Sequence, residues 1–315
     1  LSEPLYIGPA GWSYPDWNGP VYPPKKPKGF DPLEFISSYF NLIEINSTFY
    51  RLPTVETSKR WAERISGVKG FRFTAKAHQE FTHTKNVVDS RAVTAFKRSV
   101  APLLEAGRLL RVLLQFPWSF KETDANRRRL LKLVEEFRPF PVAIELRHGS
   151  WGRGIGAGEL ASAGASVCSV DQPTIGDSLD LGTRLPGNVQ SPSDSTSYFR
   201  FHGRNKSEWF RRGTNRDLRY NYLYSKGELV RLADSVRTAA ETARQVVVVL
   251  NNHFRGQAVA NALELKSMLT GAKVAVPEGV LGAYPRLGPI ALPDPNAPPR
   301  EGWLFGPESA SEDDQ

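Results

Sequence analysis

The chain has a single cysteine, Cys168, in 315 residues. No internal disulfide can form, which excludes cross-linked secreted scaffolds and fits a reducing compartment. No apolar run approaches the roughly 20 residues that a membrane-spanning helix needs, and no charged, apolar, small-residue signal pattern opens the sequence. The expected location is the cytoplasm, with no membrane partner. No GxGxxG follows the first apolar run, which argues against a dinucleotide-binding domain. No HxH or HExxH spacing offers a metal pair, and no GxSxG elbow or Ser-His-Asp order supports acyl transfer. Internal repeats and long Lys/Arg runs are absent as well.

What is present is a globular composition, 40% hydrophobic and 23% charged. The net charge of +8 favours anionic partners, either nucleic acid or a phosphate-bearing small molecule. The densest basic cluster, Arg127-Arg128-Arg129, falls on a predicted helix and reads as a solvated face.

Apolar runs at Leu5–Ile7, Leu42–Asn46, Phe71–Lys76, Val112–Phe116, Val142–Leu146, Ser166–Asp171, Ser197–His202 and Val246–Asn251 read as strands. Helical patterns lie between them at Asp31–Phe40, Glu56–Ile65, Asp89–Ala106, Asp124–Phe137, Lys226–Arg244 and Gln257–Leu269. Asp31-Pro32 supplies a cap followed by proline at the first helical position. Gly152–Gly164 is too rich in glycine to be more than a weak helix. Eight alternating units fit an α/β fold, a single (β/α)8 TIM-type barrel, better than an open doubly wound sheet. The expected barrel covers 1–276, and a proline-rich C-terminal extension takes 277–315. Trp303 and Phe305 are expected to dock part of that extension, whose acidic end reads as disordered. Pro15–Gly29, with five prolines, is expected as an ordered loop.

Barrel strands alternate inward and outward side chains, and the outward set packs on helices. In NLIEINSTFY, Ile43 and Ile45 then face the helices, while Glu44 and Asn46 face the interior. A buried carboxylate must be paired, metal-bound or chemically active; Lys76, Arg147 and Arg200 are the candidate partners of Glu44. The same alternation turns Arg72, Thr74, Lys76 and His78 inward from FRFTAKAH, and Glu145 and Arg147 from VAIELRH. Ser169 and Asp171 turn inward from SVCSVDQP, with Cys168 and Val170 outward. Tyr198, Arg200 and His202 turn inward from SYFRFHGR, and Gln115 from VLLQFP. Parity leaves VVVVLNNH open. All five histidines lie at or just after strand C-termini, the face where barrel enzymes place their sites.

These motifs, with GPAGWSYPDWNGPVYP, EINSTFYRLP, LLQFPWSF, YNYLYSKGEL and NNHFRGQAVANA, resemble the YecE-like family, domain of unknown function 72. The resemblance runs from about Ile7 to Leu269 and implies a TIM-type barrel without implying a reaction. The glycine-rich segment after Trp151 and the LNNH sequence depart from the family pattern.

The candidate catalytic residues are Glu44, Lys76, Glu145, Asp171 and His202. The candidate binding residues are Trp12, Tyr14, Asn46, Tyr50, Arg51, His78, His83, Gln115, Arg147, His148, Trp151, Arg200, Arg204, Lys206, Asn251, Asn252 and His253. FHGRNK groups His202, Arg204 and Lys206 where barrels often hold phosphate. A divalent metal on Glu44, Glu145 and Asp171 is one alternative; metal-free acid/base work, with a desolvated Lys76 as base or nucleophile, is another. Aromatics near cations suit sugars or bases. The leading expectation is a hydrolase of phosphate esters, cleaving a phosphodiester that includes nucleic acid. The alternatives are a sugar or sugar-phosphate isomerase with Glu44 or Glu145 as base, and a non-catalytic nucleic-acid-binding protein.

Overall fold

In the computed structural model, which describes residues 4–84, 88–152, 159–160, 162–179, 196–209, 211 and 216–297, all eight expected strands form. They are β1 Leu5–Pro9, β2 Leu42–Ile45, β3 Arg72–Lys76, β4 Leu109–Gln115, β5 Val142–Glu145, β6 Ala165–Asp171, β7 Thr196–Phe201 and β8 Gln245–Leu250. They pair in parallel in the order β1-β8-β7-β6-β5-β4-β3-β2. Every residue of β2, β4 and β5 is buried, because helices cover one face of the sheet and the barrel interior closes the other.

The sheet closes at a seam between β1 and β2 that is stitched rather than laddered. The Asn41 side chain accepts from Ile7 N at 3.0 Å and donates to Leu5 O at 2.7 Å. Gly11 N donates to Glu44 O at 2.8 Å. Gly8 allows this approach, since a Cβ there would overlap the Leu42 carbonyl oxygen. The seam therefore fixes the backbone of Glu44 at the top of the barrel.

The six expected helices form as Pro32–Ser37, Val55–Arg64, Ser90–Glu105, Asp124–Phe137, Lys226–Ala240 and Gln257–Thr270. The Asp31 carboxylate accepts from Leu33 N and Glu34 N, and Ser225 with Glu228 makes a reciprocal capping box. The residues expected to turn outward on β3, β5 and β7, among them Phe73, Ile144, Phe199 and Phe201, join the large helix-covered core. A second apolar cluster, with Leu42, Leu113, Ala143, Tyr198, Val247 and Val249, fills the interior below the polar end. It settles the eighth strand, where Val247 and Val249 point inward and Asn251 follows them.

The sixth strand corrects the expectation. Cys168 and Val170 belong to the interior cluster, and Val167 to the outer core. Asp171 consequently faces the helix layer. Apolar residues on both faces of SVCSVD leave alternation nothing to discriminate.

The proline-rich loop after β1 is ordered around Trp17, Val21 and Tyr22, all buried. Trp17 Nε1 donates to His253 O at 2.8 Å, which ties this loop to the one after β8. Beyond residue 277, Val280 and Leu287 join the main core, and β10 (Ala291–Leu292) pairs with β9 (Val274–Ala275). Arg286 holds Glu264 at 2.6 Å. Most of Gly152–Gly164, and Trp303, Phe305 and the acidic end, lie outside the described residues.

Candidate active site

At the C-terminal end of the barrel interior, Glu44, Glu145, Arg200 and His202 are each 0% exposed, so their charges must be resolved within the protein. Arg200 resolves both acids. Its Nη2 donates to Glu44 Oε1 at 2.6 Å and its Nε to Glu44 Oε2 at 3.0 Å, a two-point pair. Its Nη1 donates to Glu145 Oε2. Arg147 Nε donates to the other Glu145 oxygen at 2.7 Å. Tyr198 Oη donates to Glu44 Oε2 at 3.2 Å and also meets Thr74 Oγ1 at 3.1 Å. Glu44, the acid inside an apolar strand, is thus the partner of Arg200, one of the three expected cations.

Burial alone would raise the Glu145 carboxyl, but Arg200 and Arg147 override it and hold it well below the usual range. Burial would lower the Arg200 guanidinium; Glu145 and Glu44 reverse that and raise it. His202 is lowered to about 3, first by burial and further by Arg147, so its imidazole is neutral at ordinary pH. Asn251 Nδ2 donates to His202 Nδ1 at 2.8 Å, which leaves Nε2–H to donate to Glu145 Oε1 at 3.1 Å.

Two acids and two arginines balance, and Lys76 is the surplus. Its Nζ lies 3.9 Å from the centroid of the Phe49 ring, and it has no hydrogen bond or ion pair to a side chain of the network. The residue keeps some solvent contact although protein surrounds its amine. Burial first, then Arg200, lowers its pKa to about 7. Around it are Arg147, whose guanidinium lies 5.6 Å from the Trp209 ring, and His83, which stacks edge-on against Phe49 at 4.9 Å. His83 is lowered to about 4 by burial and by Lys76. Asn46 stands beside Glu44 with Oδ1 buried and without a hydrogen-bond donor.

The remaining candidates divide. Gln115 is buried at the top of β4, where its amide donates to Phe116 O at 3.3 Å. Tyr14 stacks on His253 at 4.3 Å, and Tyr220 lies 5.0 Å from His253, making an aromatic wall near His202. Sequence reasoning did not single out Tyr220; its signal was only a place in YNYLYSKGEL. Trp12 packs on Trp61 and Phe73, and Trp151 on Phe120, as hydrophobic plugs. His148 is held by Ser150, Trp118 and Asp177, and His78 turns to Phe81 and Glu80. Tyr50 and Arg51 are exposed. Asn252 donates to Tyr222 O and Asn261 and serves the outer layer.

FHGRNK does not form one anion cluster. His202 enters the interior, Arg204 leaves it to bind Asp171 at 2.6 Å, and Lys206 is exposed. Alternation and the turn at Gly203, with φ of 84°, send the three apart. The expected metal ligands also fail to converge. Glu44 and Glu145 direct their oxygens at guanidinium N–H groups, and Asp171 is on the other side of the sheet, bound by Arg204 and Tyr224. Among the described residues no three His, Cys, Asp or Glu side chains gather as a metal site. This donor set does not fit a divalent ion. Cys168, inside the barrel rather than outside, is a thiol pushed up by burial and by Glu145, not a poised thiolate. No helix among the described residues is long and apolar enough to cross a membrane.

The same fold recurs in other proteins. A DUF72 family protein of Thermotoga maritima is 33% identical in a structural match covering 85% of this chain and 99% of that one, with a TM-score of 0.72. A DUF72 family protein of Enterococcus faecalis is 26% identical over 84% and 95% of the two chains, with a TM-score of 0.71. The UPF0759 protein YunF of Bacillus subtilis is 29% identical over 279 residues, 84% of this chain and 94% of its own. The model of the family described as "protein of unknown function DUF72" matches residues 6–281, and the chain belongs to that family.

Proposed function

We propose that the mouth of the barrel is the active site of an enzyme for a small anionic ligand bearing a phosphate or carboxylate, with Lys76 as its proton-transferring group. The observation that carries this reading is Lys76 itself, the surplus cation of an otherwise balanced network, on a residue that is partly exposed rather than sealed. An ordinary lysine is protonated at neutral pH and is a poor base; one with a pKa near 7 populates both forms. The partly exposed Arg147 offers guanidinium donors beside it.

Phosphodiester hydrolysis needs acids that position a water or a metal. Both interior acids are engaged by Arg200, so that reaction has less support than amine chemistry. The isomerase alternative survives with its base moved from Glu44 or Glu145 to Lys76.

The test is calorimetric titration of inorganic phosphate into the wild type, Arg147→Met and Lys76→Met. Binding to the wild type, weakened about tenfold or more in each variant, is expected for lost charge-assisted hydrogen bonds. No binding, or binding indifferent to both substitutions, would overturn the anion reading. Salt-steep DNA binding untouched by Lys76→Met would favour a non-catalytic nucleic-acid-binding protein instead.

A further inference from the structure

We infer that Lys76 is a nucleophile that condenses with the carbonyl carbon of an anionic aldehyde or ketone to form an imine. This rests on the anion-site reading above and adds the ligand's reactive group. An amine nucleophile needs a free lone pair, an approach path and no carboxylate clamped to it. Lys76 is partly exposed rather than sealed, burial favours its neutral form, and no carboxylate is clamped to its amine. The interior acids, Glu44 on adjacent β2 and Glu145 on β5, are both held by Arg200, and Arg147 takes the remaining Glu145 oxygen. Neither acid forms an ion pair with the amine.

The groups facing Lys76 also bias it toward the neutral form. Arg200 from β7 and Arg147 after β5 oppose its protonation, Glu145 and Glu44 partly favour it, and His83 after β3 is neutral. The Phe49 face favours the ammonium as well, yet burial and Arg200 set the net direction downward. Lys266 supplies an internal contrast. Burial lowers it too, but its Nζ donates to the Tyr39 carbonyl at 2.7 Å and lies away from the barrel mouth. Lys97 is likewise tied to the Glu136 carbonyl at 2.8 Å. Burial alone therefore does not produce this arrangement.

In the condensation, the Nζ lone pair forms a bond to the carbonyl carbon and the C–O π pair moves to oxygen, which takes up a proton as Nζ gives one up. The resulting hydroxyl is protonated and leaves as water while nitrogen forms the C=N bond. Amine and carbonyl thus become imine and water, with no oxidant or reductant. A protonated imine draws electrons from the adjacent carbon, so the reaction class it serves is proton abstraction or carbon–carbon cleavage next to the carbonyl. Arg147 would hold the anionic end.

The experiment incubates the protein with pyruvate or dihydroxyacetone phosphate, and with acetone as the uncharged control, in the presence of cyanoborohydride. Intact mass and peptide mapping locate the reduced adduct. One adduct on Lys76 with the anionic carbonyls, formed at least about tenfold faster than on any other lysine and suppressed by inorganic phosphate, is the expected result. Its absence in Lys76→Arg, which keeps the charge, would support the assignment further. Adducts scattered over other lysines while phosphate still binds would overturn the imine and leave the anion site standing. Scattered adducts with no phosphate binding would overturn both.

Discussion

Two arginine-centred clusters lie on opposite faces of the same sheet. Inside, Arg200 bridges Glu44 and Glu145, joined by Arg147, and all but Arg147 are sealed from solvent. Outside, Arg204 bridges Asp171 at 2.6 Å and Glu228 at 3.3 Å, with roughly a third of its side chain exposed. Tyr224 Oη donates to Asp171 at 2.5 Å and Tyr222 Oη to Glu228 at 2.6 Å. Glu228 also caps the helix Lys226–Ala240. The outer cluster is closed on itself and straps that helix to β6 and β7. The inner cluster is equally well paired but carries a further ionisable group, Lys76, that its pairs do not absorb. Similar residue types thus make a strut in one place and a site in the other, and the surplus charge separates them.

The sharpest way to break the comparison is Arg200→Met. It strands two buried carboxylates, and a loss of about 3–5 kcal/mol in urea unfolding is expected. Arg204→Met should cost about 1–3 kcal/mol, because water can reach the acids it leaves, and should leave phosphate binding unchanged. Equal losses from the two substitutions would contradict the distinction.

Acid should act mainly on the inner cluster. The folded His202 titrates at about 3 and an unfolded histidine at about 6.5. The unfolded chain takes that proton first, and stability falls as pH drops through this window. Glu145, held below the ordinary value of about 4.3, adds stability that is present above that pH and lost below it. Thermal melts should therefore fall steadily from about pH 6.5 downward, and His202→Gln should flatten the upper part of the decline.

Lys76→Met is expected to change stability with the opposite sign. Its folded pKa of about 7 lies below the unfolded value of about 10.4. Below pH 7 the burial cost of the ammonium is complete, and between these values it shrinks as pH rises. The variant should melt higher than wild type at pH 7, with the gap closing toward pH 10, while losing the site's chemistry.

The sequence exposed the inner cluster well and the outer one poorly. Ile43 and Ile45 around Glu44, Ile144 and Leu146 around Glu145, and Phe199 and Phe201 around Arg200 gave unambiguous alternation, so the inward polar set could be read before any contact was known. SVCSVD offered apolar residues on both faces and turned Asp171 the wrong way. FHGRNK looked like one site because its cations are close in sequence, but a strand end followed by a glycine turn separates neighbours. Asn41, which stitches the barrel seam, gave no signal at all, since its role depends on two strands meeting without a ladder. The deviation of Lys76 from an ordinary lysine was legible only as a possibility. It required knowing that Arg200 takes both acids.

The most direct test is an NMR titration of the Lys76 side chain in lysine-labelled protein, assigned by comparison with Lys76→Arg. The account predicts a midpoint of about 7. A midpoint near 10.4, the ordinary lysine value, would show that the amine is not held as the surplus charge of the network and would contradict the account.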